Sequence, residues 1–278
     1  MPELPEVETT RRGIAPHLRG RVLSGWEVRN AALRWPVVIP SELAGQPLLG
    51  VDRRAKYLLL RLPGGALILH LGMSGSLRIL PRGTPPLKHD HVDLFLDDDL
   101  ILRLNDPRRF GSLHWQADPV ESHWLLTGLG IEPLSEGFDG AYLKRAARRR
   151  RAPVKSFLMD GRIVVGVGNI YASEALFLAG IRPTLRAGRV TLASYQRLAG
   201  AVREVLSSAI GMGGTTLRDF VNQDGQPGYF KQSLFVYGRD GQPCRRCGSE
   251  LRLQRVGQRA TVFCPNCQRS QGNARHRC

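Results

Sequence analysis

The first 130 residues carry runs of Val, Leu and Ile that are bounded by glycine, proline or charged residues. Runs of this kind predict β-strands. The predicted strands cover residues 21–30, 48–62, 66–71, 76–80, 92–96 and 100–104, and an acidic turn at residues 97–99 joins the last two. Strands spaced this closely along a chain predict a sandwich or a barrel.

The apolar pattern changes after residues 119–133, a stretch with prolines and glycines that is the predicted linker. Apolar side chains then recur at helical spacing, most clearly in residues 194–210. Further helices are predicted at residues 141–151, 153–159 and 170–179, and residues 211–228 form a glycine-rich stretch with little regular pattern.

The N-terminus predicts a short capped helix that also carries chemistry. Pro5 suits a first helical turn, the acidic residues after it complement the helix dipole, and Gly13 is the expected stop. If Met1 is removed, Pro2 becomes a secondary amine beside the carboxylate of Glu3. Such an amine can attack a sugar carbon and form an iminium, since an α-amino group titrates near neutral pH.

Charge narrows the class of partner. The chain has 40 Lys and Arg against 24 Asp and Glu, a net charge of +16, which favours a polyanion such as nucleic acid. A membrane surface is the alternative, but no apolar stretch approaches the roughly 20 residues that a spanning helix needs. The acidic, polar N-terminus is unlike a signal peptide. We therefore expect a soluble, cytoplasmic protein, with a monomer as the default.

Four of the five cysteines form two pairs, Cys244-x2-Cys247 and Cys264-x2-Cys267, which is zinc-ribbon spacing. Two disulfides are the alternative, which the missing secretory signal disfavours. A site with four protein ligands is closed, so the predicted role of one Zn²⁺ ion is structural. Cys278 is left over as a predicted free thiol without a role.

Three further motifs suggest contacts with nucleic acid. Residues 166–171 open a helix at which Asn169, the predicted N-cap, and two glycines favour a phosphate site, although an ordinary tight turn fits equally. In residues 106–111, Arg108 and Phe110 can replace an extruded base, with Phe110 in the core as the alternative. Met73 is a second candidate wedge or a core residue.

Several cations and histidines remain. Residues 144–151 form a basic run that is either a phosphate-binding surface or a solvated helix face. Lys56, at a strand entry, is either a charge near a cleft or a rim lysine. His70, His89 and His91 lack metal-like spacing with carboxylates and are predicted to be mostly structural.

Taken together, these motifs resemble the bacterial formamidopyrimidine-DNA glycosylase family over essentially the whole chain. The resemblance is carried by residues 2–9 (Pro-Glu-Leu-Pro-Glu-Val-Glu-Thr), 53–58 (Arg-Arg-Ala-Lys-Tyr-Leu), 70–75 (His-Leu-Gly-Met-Ser-Gly), 106–111 (Asp-Pro-Arg-Arg-Phe-Gly), 165–171 (Val-Gly-Val-Gly-Asn-Ile-Tyr), 213–216 (Gly-Gly-Thr-Thr) and the four paired cysteines.

The resemblance implies an α+β fold with an N-terminal catalytic β-sandwich domain (1–130), a helical domain with a helix–two-turns–helix element (131–235) and a zinc finger (236–270). Double-stranded DNA containing oxidised purines would lie between the first two domains. Glu6 and residues 215–229 would border the lesion pocket. The implied activity is excision of 8-oxoguanine and formamidopyrimidines, followed by strand cleavage at the abasic site.

The resemblance also implies residue roles. Pro2 would be the nucleophile that forms a Schiff base with C1′ of the sugar, and Glu3 the general acid/base in ring opening. Lys56 would assist the lyase step and contact a phosphate. Arg259 would grip phosphate and serve in δ-elimination, and Asn169 would hold the flanking phosphate.

The remaining implied contacts concern the DNA. Met73, Arg108 and Phe110 would fill the gap left by the flipped base, with Arg108 facing the opposite cytosine, and His89 and Arg150 would bind DNA. Two other functions stay open: a non-enzymatic zinc-ribbon DNA binder, and an endonuclease VIII type that acts on oxidised pyrimidines. Leu4, Met73 and the Arg108–Phe110 pair favour the purine-specific branch over the latter.

Overall fold

The computed structural model describes residues 2–97, 99–214 and 234–269. Its chain divides into two compact units. The N-terminal unit comprises Met1–Thr127 with the described part of Ala209–Lys231, and the C-terminal unit comprises Gly128–Ser208 with the described part of Gln232–Cys278. The predicted linker overlaps the point where the first unit ends and the second begins.

The N-terminal unit opens with helix α1 (Leu4–Leu18), which is longer than predicted. Gly13 does not end it; the helix continues through Gly13 and Pro16. Ile14 and Leu18, beyond the glycine, are fully buried. Burying each such side chain contributes about 1.5–3 kcal/mol, whereas a glycine within a helix costs about 1 kcal/mol. The core therefore overrides the local stop signal.

Nine strands follow in the N-terminal unit. They are β1 (Val22–Val28), β2 (Gln46–Pro47), β3 (Gly50–Arg54), β4 (Tyr57–Leu62), β5 (Gly65–His70), β6 (Ser76–Pro81), β7 (Asp90–Leu96), β8 (Leu100–Asn105) and β9 (Ser112–Ala117). They form two antiparallel sheets, a five-stranded sheet in the order β2-β1-β7-β8-β6 and a four-stranded sheet in the order β3-β4-β5-β9. Leucines and valines of both sheets and of α1 share one hydrophobic core, which confirms the sandwich.

A buried ionic cluster fixes the register of the five-stranded sheet. Asp93 on β7 accepts hydrogen bonds from Arg103 on β8 at 2.7 and 2.6 Å, and from Arg29 after β1 at 3.0 Å. Burial acts to raise the pKa of Asp93, but the two guanidinium groups hold it below its usual value. Charges buried in pairs are tolerated, whereas a slip of one residue would leave them unpaired.

Five α-helices and eleven strands are described in all, and the remaining ones belong to the C-terminal unit: α2 (Gly140–Ala146), α3 (Val154–Leu158), α4 (Asn169–Leu178), α5 (Leu192–Gly211), β10 (Arg252–Val256) and β11 (Arg259–Phe263). Helix α4 is buried along most of its length, and α5 continues into the N-terminal unit at Ala209. None of the described helices is long and apolar enough to cross a membrane.

Helix α2 is shorter than the predicted helix at residues 141–151. It ends at Ala146, and Arg149 adopts a left-handed conformation with φ 61° that a helix cannot contain. Arginines 148–151 therefore lie on an exposed turn and do not form a solvated helix face.

Candidate active site

The start of α1 holds the candidate nucleophile. Pro2 and Glu3 are both buried. Glu3 is the N-cap, in extended conformation, and forms a capping box with Glu6. The Glu3 backbone N–H donates to the Glu6 carboxylate at 2.8 Å, while the Glu3 side chain accepts from the Glu6 backbone. This reciprocal pair fixes the Glu3 carboxylate beside Pro2 at the positive end of the helix.

Ion pairs fasten α1 to β3. Glu8 accepts hydrogen bonds from Arg11 at 3.0 Å, from Arg12 at 2.9 Å and from Arg53 of β3 at 3.1 Å. Burial alone would raise the pKa of Glu8, but these hydrogen bonds and charges lower it to about 2. The pairs therefore connect the helix that begins at Leu4 to the strand that leads into Lys56.

Lys56 lies in a two-residue turn between β3 and β4, because Arg54 pairs with Tyr57. The other turn residue, Ala55, is buried and has φ 56°. Its carbonyl accepts from the Arg53 guanidinium at 2.9 Å, which stabilises this uncommon backbone conformation. A turn this short fixes the backbone of Lys56 relative to β3 and β4.

The structure adds His70, for which the sequence predicts a structural role. Burial first, and then the charges of Lys56 and Arg34, lower the pKa of His70 to about 4. Its Nδ1 accepts from the Gly72 N–H at 2.9 Å, and its ring lies 4.9 Å from that of Tyr57. A neutral imidazole thus stands beside Lys56, a neighbour that spacing along the chain does not reveal.

Two loops, one carrying Met73 and the other carrying Phe110, are the candidate insertion loops, and their backbones pack against each other. A side chain at Gly72 would meet the Gly111 nitrogen at 2.5 Å, and one at Gly111 would meet an Asp106 carboxylate oxygen at 2.8 Å. That same oxygen accepts from the Gly111 N–H at 2.7 Å. The loop carrying Met73 and the loop carrying Phe110 therefore form one block.

A pocket of about 720 Å³ lies beside these loops, and we call it the insertion pocket; it is lined by Ala32, Leu33, Arg34, His70, Gly72, Met73, Arg108, Arg109 and Phe110. Phe110 is 43% exposed, so its placement in the core, the alternative left open, is wrong. The Arg108 guanidinium lies 5.1 Å from the centre of the Phe110 ring, and Met73 is half-buried. Apolar and cationic groups together suit base faces and edges.

Two other predicted positions lie in the same unit. His89 has φ 75°, and its carbonyl accepts from the Asp106 N–H at 2.9 Å, so it stands at the base of the Arg108 loop. Gly214 approaches Glu6, where an added side chain would lie 3.2 Å from the carboxylate. Residues 215–229, expected to border the lesion pocket, lie outside the described residues.

In the C-terminal unit, Cys244, Cys247, Cys264 and Cys267 converge, with all four sulfurs within 4.8 Å of one another. The Cys247 and Cys264 sulfurs are 3.5 Å apart, and those of Cys244 and Cys267 are 4.0 Å apart. Tetrahedral Zn–S bonds of 2.3 Å place sulfurs about 3.8 Å apart, so the cluster fits one zinc ion. All four positions are protein ligands, which makes the site a structural one.

The zinc hairpin is anchored to the helices. Glu174 of α4 accepts three backbone hydrogen bonds from residues 235–237, at 2.8, 3.0 and 2.8 Å. Gln268 is fully buried, donates to the Ile181 carbonyl at 3.0 Å and accepts from the Cys264 N–H at 2.9 Å. Both ends of the zinc site are therefore fixed to the helical part of the same unit.

Arg259 begins β11 directly after a two-residue turn, since Val256 pairs with Arg259. The turn residues Gly257 and Gln258 have φ 54° and 62°, as in a type I′ turn. The Arg259 side chain is exposed. Its carbonyl accepts from the Thr261 hydroxyl at 3.1 Å, so its backbone is held while its guanidinium extends into solvent.

Lys155 of α3 hydrogen-bonds to the two residues that follow Arg259. Its side chain is fully buried, and its ammonium donates to the Thr261 hydroxyl oxygen at 2.7 Å and to the Ala260 carbonyl at 3.3 Å. Asn169 donates to the same carbonyl at 3.2 Å. Lys155 was not singled out from the sequence, because nothing in a short apolar helix distinguishes a buried lysine from an exposed one.

Asn169 is the first residue of α4, and the predicted N-cap was wrong: Gly168 occupies that position, in extended conformation. The Asn169 side chain turns to the zinc hairpin, where one of its amide N–H groups donates to the Ala260 carbonyl. Its buried Oδ1 has no hydrogen-bond partner among the described residues. Arg150 lies apart from this group, on the exposed turn after α2, where its carbonyl accepts from Gly188 at 3.0 Å.

The described structure thus gathers the predicted site residues into two groups. The N-terminal unit holds Pro2, Glu3, Lys56, Met73, His89, Arg108 and Phe110, and the C-terminal unit holds Arg150, Asn169, Arg259 and the four zinc ligands. Each unit pairs cationic side chains with backbone that is fixed by turns or buried hydrogen bonds.

Comparison with known families finds three matches in chain order. The formamidopyrimidine-DNA glycosylase N-terminal domain matches residues 1–113, the formamidopyrimidine-DNA glycosylase H2TH domain matches residues 129–221, and a zinc finger found in FPG and IleRS matches residues 241–269.

Individual proteins are similar over nearly the whole chain. The formamidopyrimidine-DNA glycosylase of Alkalilimnicola ehrlichii is 62% identical, with 97% of this chain and 100% of that protein covered. Lactococcus lactis Fpg bound to DNA with an abasic site is 33% identical, with a TM-score of 0.89 over 96% of this chain and 100% of that one. The same enzyme bound to DNA containing Fapy-dG gives a TM-score of 0.87 at 33% identity, over 96% and 100% of the two chains.

Proposed function

Because the chain belongs to the formamidopyrimidine-DNA glycosylase family of DNA repair glycosylases and abasic-site lyases, we propose that it excises oxidised purines from double-stranded DNA through a Schiff base at Pro2. The observation that carries the proposal is the buried Pro2–Glu3 pair, held by the capping box at the start of α1. The Lactococcus lactis complexes with Fapy-dG and with an abasic site support both the substrate class and the two-stage reaction.

In the first stage the Pro2 nitrogen, freed by removal of Met1, donates its lone pair to C1′ of the damaged nucleotide. The bond from C1′ to the base breaks, and the base leaves with the electrons of that bond and takes up a proton, while the Pro2 nitrogen loses its own N–H proton. Glu3 gives a proton to the ring oxygen as the sugar opens, which leaves an iminium between Pro2 and C1′. The capping box orients the Glu3 carboxylate for this transfer.

In the second stage the iminium acidifies the C2′ proton. Water takes this proton, and the electrons of the C2′–H bond expel the 3′ phosphate by β-elimination. Loss of the C4′ proton to water then expels the 5′ phosphate by δ-elimination, and hydrolysis of the iminium frees the enzyme. The phosphates need cationic partners while charge develops on them. Lys56, on its two-residue turn, and Arg259, on the zinc hairpin, supply these charges in the proposal.

The insertion loops act before the chemistry. Extruding a base costs a few kcal/mol, which side chains placed in the stack offset. Phe110 and Met73 supply the apolar surface, and Arg108 supplies hydrogen-bond donors to the base left unpaired. Three residues are proposed to contact the backbone of the DNA: His89, Arg150 and Asn169. The Asn169 amide has a second N–H besides the one that it donates to the Ala260 carbonyl.

The four cysteines would hold a zinc ion whose chemistry is structural: it replaces the repulsion of crowded thiolates with four metal–sulfur bonds. The residues around it do the remaining work. Lys155 and Asn169 fix the turn that carries Arg259, and Glu174 and Gln268 fix the ends of the hairpin.

The three domains at residues 1–130, 131–235 and 236–270, a monomeric state and a cytoplasmic location belong to the same proposal. Size-exclusion chromatography with light scattering measures the state of assembly, and limited proteolysis maps the boundaries.

Borohydride trapping tests the function directly. Mass spectrometry first verifies that the protein begins at Pro2. This protein should form a covalent adduct with a duplex containing 8-oxoguanine opposite cytosine. A variant with an extra residue fused before Pro2 should bind the duplex and give no adduct. Equal trapping by both samples would contradict a Pro2 Schiff base, and faster nicking of an oxidised-pyrimidine duplex would favour an endonuclease VIII type.

A further inference from the structure

Two of the four tryptophans pack against the core of the sandwich, whereas Trp35 and Trp124 do not. Their rings meet at 4.9 Å and 82°. Trp124 is 57% exposed, which is unusual for so large an apolar side chain. The Arg34 guanidinium lies 4.6 Å from the centre of the Trp35 ring. We call Arg34, Trp35 and Trp124 the tryptophan surface.

Two histidines support these rings. The His114 ring lies 5.7 Å from that of Trp35, and the His123 ring lies 5.5 Å from that of Trp124, with 5.2 Å between the histidines. Burial, and for His114 also the neighbouring His123, lowers the pKa of both imidazoles. Near neutral pH the surface is therefore a cluster of uncharged rings, tilted or edge-on to one another, with one guanidinium at its edge.

The tryptophan surface is continuous with the insertion pocket. Arg34 lines that pocket together with Arg108 and Phe110. The Arg34 N–H donates to the carbonyl of Gly111, the residue after Phe110, at 3.1 Å. The surface thus extends the pocket on the side of Arg34, through a backbone hydrogen bond between two loops of the same unit.

Resting on the proposed function, we infer that the tryptophan surface is a second DNA site that stacks on nucleotides of the undamaged strand, next to the base faced by Arg108. Side chains inserted into a duplex unstack neighbouring base steps, which exposes base and sugar faces. Indole rings and guanidinium planes bind such faces with little sequence preference. The net charge of +16 and the shared Arg34 favour DNA over a protein partner at this surface.

The test uses the full-length, Met1-processed protein and a duplex with a tetrahydrofuran abasic analogue opposite cytosine. Base stacking on an aromatic ring contributes about 1–3 kcal/mol, so Trp124→Ala should weaken binding by about fivefold or more. Trp124→Phe, which keeps a ring, should recover most of the affinity. Leu49→Ala removes another exposed apolar side chain of the same unit and should bind as the unaltered protein does.

Photo-crosslinking identifies the occupant. Iodouracil placed at successive positions of the undamaged strand should crosslink near the abasic analogue in the unaltered protein and in Trp124→Phe, and not in Trp124→Ala. Binding of Trp124→Ala within twofold of the unaltered protein, or no crosslink from the undamaged strand to the unaltered protein, would overturn the inference and point to a protein partner or to none.

Thermal melting of the variants distinguishes a loss of binding from a loss of folding. Trp124→Phe should retain both the melting temperature and the DNA affinity of the unaltered protein. Borohydride trapping with the unaltered protein keeps the two proposals apart. If trapping succeeds and Trp124→Ala binds normally, only the second DNA site fails; if trapping fails, the proposed function fails whatever the tryptophans do.

Discussion

At the scale of single residues, the active site depends on side chains whose charge is set by their neighbours. Glu8 is held ionised by arginines, whereas His70 is held neutral by burial and by Lys56 and Arg34. The two groups therefore respond to acid in different pH ranges. Measuring the free energy of unfolding as a function of pH can distinguish the two groups.

Stability should fall as the pH drops from about 6.5 to about 4 because of His70. The folded state resists protonation of this imidazole while the unfolded chain accepts the proton, so acid favours unfolding; the loss is about 2–4 kcal/mol. His70→Asn keeps an acceptor for the Gly72 N–H and should flatten the profile in this range. Urea unfolding at each pH measures the free energy of unfolding for both proteins.

Glu8→Gln provides the contrast. The lowered pKa of Glu8 gives stability that is present above about 4.5 and is lost as the pH falls toward 2. This variant should therefore be less stable by a constant amount above about pH 4.5, and it should flatten the profile only below that pH. Parallel profiles for the unaltered protein and His70→Asn between pH 6.5 and 4 would show that His70 is not held neutral.

At the scale of elements, glycines decide how the insertion loops pack. Gly72 and Gly83 both have positive φ, 66° and 87°, but only Gly72 lies against another loop. Gly72→Ala should lower the free energy of unfolding by more than the about 1–2 kcal/mol of left-handed strain, because its methyl group meets Gly111 and Phe110. Gly83→Ala, with open space around it, should show the strain alone.

Urea unfolding measures both glycine variants, and binding to a duplex with an abasic analogue measures the loops. We expect weaker binding for Gly72→Ala and unchanged binding for Gly83→Ala. Equal losses of stability would mean that the two loops separate without cost, contrary to the packing described.

The zinc hairpin offers a second test at this scale. Lys155→Met removes the donor beneath the Arg259 turn but keeps an unbranched apolar chain, so we expect less δ-elimination product and weaker binding of abasic DNA, with one zinc ion retained. Lys144→Met is the control, since Lys144 also donates to a backbone carbonyl, that of Val190 at 2.7 Å, away from the hairpin.

If Lys155 acts only through Arg259, the double variant with Arg259→Ala should be no worse than Arg259→Ala alone. Additive losses would assign Lys155 a separate role. Loss of zinc from Lys155→Met would mean that the variant acts through misfolding of the zinc hairpin and not through the Arg259 turn.

The elements that the sequence predicted correctly are those with uninterrupted local signals. Leu100–Asn105 and Ser76–Pro81 match the predicted strands because apolar runs end at turn residues. Residues 48–62 were predicted as one strand but form two, since Ala55 has no turn-forming signature. Ser112–Ala117 was missed because it contains no Val or Ile, and its place depends on pairing with β5.

At the scale of the whole molecule, the excess of basic residues predicts salt-dependent binding. Each phosphate contact by a cation contributes about −0.9 to the slope of log K against log salt concentration. Arg259→Ala and Arg150→Ala should each make the slope shallower by about one. Arg108→Ala should leave the slope unchanged and reduce the preference for cytosine opposite the lesion, because that side chain faces a base.

Titrations by fluorescence anisotropy at several salt concentrations measure these slopes. A shallower slope for Arg108→Ala would place that side chain on the backbone of the DNA. An unchanged slope for Arg259→Ala would remove it from the phosphate contacts.

Much of the candidate site was accessible from the sequence because short motifs carry it: the proline start, the Arg108–Phe110 loop and the paired cysteines. His70, Lys155 and the tryptophan surface were not, because their roles depend on neighbours that other elements of the fold bring to them. Trp35 and Trp124 are separated by most of the sandwich in sequence, and only the fold brings them together.

Lys56 and Arg259 share one design: each belongs to a hairpin closed by two residues. A single amino acid inserted into either loop would either require a different, longer turn or shift the register, and a register shift would move the following side chains to the opposite face of the sheet. The strands of these hairpins can therefore vary widely in sequence, whereas the length of their loops is constrained. Among homologues, gaps in an alignment should avoid both tips even where the surrounding letters have diverged.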